Sequence, residues 1–169
     1  AHWEAAHAWQ VYQKGPMEWV GKEVAKWIAA LGHGQVRIML KSDGEAAIKS
    51  LKDPIASHRD AQTVSVETPV RESKSNGAME SRVKSWQAQF RTMLLDVQQS
   101  LGVQIGLGNP LISWLILWAA TSLNKYKTDD AGRTAYQLIA GGTQRKPPAR
   151  FGERKWYIPN GKRDPCKKI

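Results

Sequence analysis

From Met79 to Leu101 apolar side chains return every three or four residues: Met79, Val83, Trp86, Phe90, Met93, Leu94, Val97 and Leu101. A stripe sustained over that length fits a long α-helix with one face on a core, because a half-buried strand would alternate with period two. Gly102 ends it. Residues 111–123 form the most apolar run of the chain. They fall short of the roughly 20 residues that a bilayer-spanning helix needs, so the expectation is a buried core helix with Trp114 and Trp118 inside. Any fold for this chain must pack these two helices.

The preceding half reads differently. Residues 8–13 alternate loosely before Lys14-Gly15-Pro16, a short strand and a turn. Pro16 opens a helical pattern through Val20, Val24, Trp27, Ile28 and Leu31, which Gly21 weakens and Gly32-His33-Gly34 stops. Residues 36–40 are the strongest strand candidate and run into the turn signal Ser42-Asp43-Gly44. A short helix over 45–51 should close at Pro54, and residues 63–66 read as another strand. A polar loop follows over 68–77, and after the two long helices a short one lies near 134–140. Strand, turn, helix, strand, loop and long helix in that order predict an α/β fold, with helices on a small sheet.

Charge narrows the partners. The 169 residues carry a net charge of +10, and seven of those ten charges lie beyond residue 144. Such an excess suits a polyanion, although lysine-rich surfaces also serve solubility alone. The single cysteine, Cys166, excludes an internal disulfide framework and a multi-cysteine zinc site. His2, His7, His33 and His58 lack metal-ligand spacing. No charged segment leading into an apolar one opens the chain, so the expectation is an intracellular protein, nuclear or cytoplasmic, with no membrane partner.

Two carboxylates stand where chemistry could use them. Asp43 lies just past a predicted strand, and Glu80 lies in the first turn of the long helix after Asn76-Gly77. Strand ends and helix starts are where α/β folds gather active-site groups, and carboxylates suit hard divalent cations. Taken singly, Asp43 could shape a turn and Glu80 could complement the helix dipole.

In context, Lys41-Ser42-Asp43-Gly44-Glu45 and Ser75-Asn76-Gly77-Ala78-Met79-Glu80 resemble the integrase catalytic cores of retroviruses and LTR retrotransposons, most closely copia-type polyproteins. Thr68-Pro69 resembles the start of that family's loop. Trp114, Ala119, Leu123-Asn124 and Thr134-Ala135-Tyr136 resemble its downstream helices, with Ala135 in place of the usual proline. Gly44-Glu45 and Ser81 are further departures.

The resemblance spans about residues 10–142. It implies an RNase H-like fold, a small mixed sheet with flanking helices, whose first strands are missing from this chain. It divides the chain into a partial catalytic core over 1–142 and a basic linker or tail over 143–169 that could open a C-terminal β domain.

It also implies a triad of two aspartates and a glutamate holding two magnesium or manganese ions for 3′-end processing and strand transfer of DNA. Asp43 is then the second aspartate and Glu80 the glutamate. No aspartate precedes Asp43, so the chain alone is expected to be inactive or nearly so. Lys84, one turn after Glu80, matches a DNA-contacting position of the family, with Gln87 and Arg91 continuing the line. Asn76, Gly77, Arg145 and Lys146 complete the expected DNA contacts. The plain alternative for Lys84 is a solvated Glu80–Lys84 pair.

A second reading is a non-catalytic nucleic-acid-binding remnant of a transposable element, with the basic tail as its contact. Homo-oligomerisation through the tryptophans of residues 111–123 is a further expectation, set against their burial in the core.

Overall fold

A computed structural model describes residues 5–42, 44–67, 77–142 and 149–153. The elements run α1 (Glu18–Ile28), β1 (Ile38–Ser42), α2 (Ala46–Ser57), β2 (Thr63–Glu67), α3 (Gly77–Leu101), α4 (Pro110–Tyr126) and α5 (Ala135–Ala140). The chain is mixed α/β: a two-stranded parallel sheet with flanking helices.

β1, α2 and β2 form one βαβ unit. Parallel neighbours need such a crossover because the chain must return to the same end of the sheet. Ile38 pairs with Thr63 and Ser42 with Glu67, so both strands finish level at one edge. α2 packs on β1, and α1 packs on α2.

The α1–α2 crossing explains two features that the sequence presents as weaknesses. A Cβ on Gly21 would lie 2.5 Å from Pro54 Cβ and 2.7 Å from the Pro54 carbonyl carbon. Gly21 is therefore the point of closest approach between the helices. Pro54 does not close α2, which continues to Ser57. A proline inside a helix removes one backbone hydrogen bond, and here its ring packs against the Gly21 backbone. The turn after α1 carries Gly32 at φ 86°, a left-handed conformation that suits glycine.

Arg59 joins the lower ends of the strands. Its Nε donates to Thr63 Oγ1 at 2.9 Å, and its Nη2 donates to the carbonyls of His33 at 3.1 Å and Val36 at 2.8 Å. The loop into β1 is thereby tied to the first residue of β2. Arg59→Ala should cost about 2–3 kcal/mol, since it leaves carbonyls without their charged donor. Chemical denaturation checks this.

α3 and α4 form an antiparallel hairpin. Val97, Ile105 and Ile112 are buried together, with Phe90, Leu94, Ile116 and Phe151 packed around them. Trp86 stacks on Phe90 with ring centroids 5.5 Å apart, and its indole N–H donates to the Ile116 carbonyl at 3.2 Å. Asn109 caps α4 by accepting from Leu111 N, and Pro110 occupies its first turn. Thr134 and Gln137 make a reciprocal capping box on α5, which ends at Gly141 with φ 67°.

α4 is not buried all round. Leu115 is 2% exposed, yet its neighbour Trp114 is 70% exposed, with Leu111 and Leu117 on the open side. Trp118 is half-buried against Phe151. The expectation that Trp114 belongs to the core is therefore wrong. Among the described residues α3 is the long helix that packs on α4, and Trp114 is left exposed despite the apolar sequence. Phe151 itself packs against the α3–α4 hairpin.

Residues 8–13 form no strand. The chain here is fastened through side chains: Asn124 accepts from Ala6 N at 2.8 Å and donates to Ala6 O at 2.7 Å, and Gln10 accepts from the Ser113 hydroxyl. His7, Trp9 and Trp27 gather beside it, with the His7 ring 4.0 Å from Trp9 and 5.6 Å from Trp27. Burial pushes the His7 imidazole below its ordinary 6.5, and Glu23 offsets part of this. The unfolded chain therefore takes up a proton at a pH where folded His7 does not. Stability is then lost as pH falls from 6.5 through the folded value. Melting temperature followed against pH should show that loss, and His7→Gln should remove it.

Candidate functional site

The sheet edge where β1 and β2 both end is where the proposed catalytic residues would assemble. Asp43 follows Ser42, the last residue of β1, and lies outside the described residues, as do Asn76, Arg145 and Lys146. Gly44 and Glu45 resume the chain, and Glu45 leads into α2 in an extended conformation. Across the edge, Glu67 ends β2. Lys49 of α2 pairs with Glu67 at 2.8 Å and holds its carboxyl below the usual range. Lys52, a buried lysine, donates to the Val66 carbonyl at 2.9 Å. α2 thus ties down the end of β2 with two lysines, neither of which stood out in the sequence.

Glu80 lies in the first turn of α3, three residues after Gly77, with its side chain exposed. Lys84, Gln87 and Arg91 are exposed too. At 3.6 residues per turn, positions 80, 84, 87 and 91 share one face. That row borders the side bearing Phe90, Leu94 and Val97, with Gln87 seven residues before Leu94, and its four side chains stay exposed while α3 keeps its packing. Gly77 is the first helical residue. Among the described residues no three His, Cys, Asp or Glu side chains gather as a metal-binding group. No described helix is long and apolar enough to cross a membrane.

The other flank of α3 carries residues the sequence reading passed over. Arg82 Nη2 donates to Asn124 Oδ1 at 3.2 Å, and Lys127 Nζ donates to Ser85 Oγ at 3.0 Å. One helical turn separates these two bonds between α3 and the end of α4. Residues 128–134 then form a tight loop closed by the Thr128–Thr134 bridge. Asp129 Oδ1 accepts from Ala131 N at 3.0 Å and Arg133 N at 2.8 Å, and Oδ2 pairs with the Arg133 guanidinium at 3.1 Å. The Arg133 backbone N–H, helped by its guanidinium, holds the Asp129 carboxyl below the usual range. An aspartate followed by glycine and arginine within five residues signals such a turn. What its arginine faces depends on how α5 returns.

No protein-family model matches the chain, and no curated protein is significantly similar to it.

Proposed function

We propose that the chain carries part of an integrase-type DNA-joining site, with Asp43 and Glu80 as its acidic residues, on an RNase H-like framework. The observation that supports this most is the parallel register of β1 and β2. Because Ser42 and Glu67 end level at one edge, the chain leaves β2 for Glu80 from beside the residue that precedes Asp43. An antiparallel pair would have sent it away from the opposite edge.

Carboxylate oxygens at these two positions fit a hard divalent cation such as magnesium or manganese. When bound, such ions polarise a phosphoryl oxygen and activate an attacking hydroxyl. The residues of this chain would supply the negative charge that holds the ion. The exposed row Lys84, Gln87 and Arg91 would position the DNA backbone alongside, a contact that orients without reading sequence.

Manganese is the direct probe, because its paramagnetism broadens the NMR signals of nearby nuclei. Titration should broaden the amides of Gly44 and Glu80 together, and Glu80→Gln should abolish the effect at both. Broadening confined to other carboxylates, or unchanged in Glu80→Gln, overturns the reading.

The exposed side of α4 favours homo-oligomerisation as part of the same reading. Trp114 is 70% exposed and Leu107 78%, with Leu111 and Leu117 nearby along the chain. Clustered apolar exposure of this kind marks interaction surfaces. Sedimentation should show self-association that Trp114→Ser weakens at least tenfold; a strict monomer at high concentration sinks the idea.

A further inference from the structure

We infer that Arg82, Lys127 and Arg133 form an anion site for a phosphate of a nucleic-acid backbone, separate from the Glu80 face. The inference goes beyond the integrase reading and needs neither Asp43 nor Glu80. Around α3 each residue turns by about 100°, so Arg82 lies roughly 160° from Glu80. A nucleic acid held at this cleft is held by a different surface.

Three cations line one small cleft between α3, the end of α4 and the loop before α5, together with Thr128. Asp129 is the one carboxylate among the described lining residues, and it is committed to Arg133 and to two backbone N–H groups. The lining therefore keeps a net positive charge. The cleft is narrow and partly open, with a volume of about 20 Å³. A space of about 10–15 Å³ holds one water-sized group, so a single phosphoryl oxygen fits within it.

The cations are also held in place before any ligand arrives. Asn124 orients the half-buried Arg82, Ser85 takes one of the three donors of Lys127, and Asp129 fixes Arg133. Lysine side chains on open surfaces must give up rotamer freedom to grip an anion, whereas these have already lost much of it. Guanidinium groups further match the geometry of phosphate oxygens with paired N–H donors. Backbone phosphate is the occupant that the charge of the whole chain favours, since polyanions are drawn to a net charge of +10.

The test is binding of a fluorescently labelled DNA duplex to the intact chain, followed by anisotropy over a range of salt concentrations. Lys127→Gln combined with Arg133→Gln should weaken binding about tenfold at 0.1 M salt and reduce the salt slope by about 1. Lys22→Gln with Lys26→Gln, two exposed lysines on α1, removes the same charge elsewhere and should change both far less. An unchanged slope in the first double variant, or an equal fall in the control, overturns the site. Titration of the unaltered chain with inorganic phosphate gives a second readout that no substitution can confound. Amide NMR shifts should concentrate at residues 127–134. Shifts spread over all basic surfaces, or absent there, count against it.

Discussion

Replacing Gly21 by valine should lower the melting temperature by about 6–12 °C, which corresponds to about 3 kcal/mol in a chain of this size. The cause is steric. A Cβ at position 21 would sit 2.5 Å from Pro54 Cβ and 2.7–2.9 Å from its backbone carbonyl atoms. The carbonyl belongs to a helix and cannot swing aside like the end of a long side chain, so α1 and α2 must separate. Helix propensity acts in the opposite direction, since glycine is disfavoured by about 1 kcal/mol in a helix interior. The clash outweighs it. Thermal unfolding by circular dichroism measures the effect, and a variant as stable as the parent would show that the helices do not cross at this point.

Leu115→Ala should destabilise the chain by about 2–5 kcal/mol, through lost apolar burial and the cavity it leaves. Leu115 is 2% exposed on the side of α4 that carries Ile112, Ala119 and Leu123. Ala119 and Ala120, at 0% and 1% exposure, are small already and cannot fill the void. Leu107→Ala serves as the contrast. That leucine is 78% exposed, and its loss should stay within about 0.5 kcal/mol. Denaturant titration of both variants separates the packed side of the α3–α4 hairpin from its open surroundings. Equal effects would mean that the burial pattern of α4 is wrong.

The long apolar stripe made α3 legible almost to the residue, because a period of three to four over 25 positions admits no strand. β1 and β2 were legible from β-branched residues between turn signals, displaced by one or two positions at their ends. Residues 8–13 misled: loose alternation describes what a strand looks like, but strand structure also needs a partner for its backbone. The chain here is instead held by side chains, with Asn124 bonded to Ala6 and Ser113 to Gln10.

Pro54 misled in the same way. Proline is a helix breaker by local rules, and only the approach of Gly21 gives its ring a place in the interior of α2. Trp114 misled because an apolar run says that a helix is sticky, not how many neighbours it will have. Glu80, Lys84, Gln87 and Arg91 were legible as one face from spacing alone. The cleft of Arg82, Lys127 and Arg133 was not, since it joins residues up to 51 positions apart through the α3–α4 hairpin and the loop before α5.

By itself the sequence determined the helices with sustained periodicity, the turns at glycine and asparagine, the excess of positive charge and the placement of Glu80 at a helix start. These are local properties, fixed by backbone sterics and by spacing along the chain. The tertiary structure decided the parallel register that brings Ser42 level with Glu67, the contact that makes Gly21 necessary, the open side of α4 and the meeting of three cations in one cleft. Each of these depends on which distant surfaces pack together, and packing is settled by the summed burial and shape of many side chains rather than by any short stretch of residues.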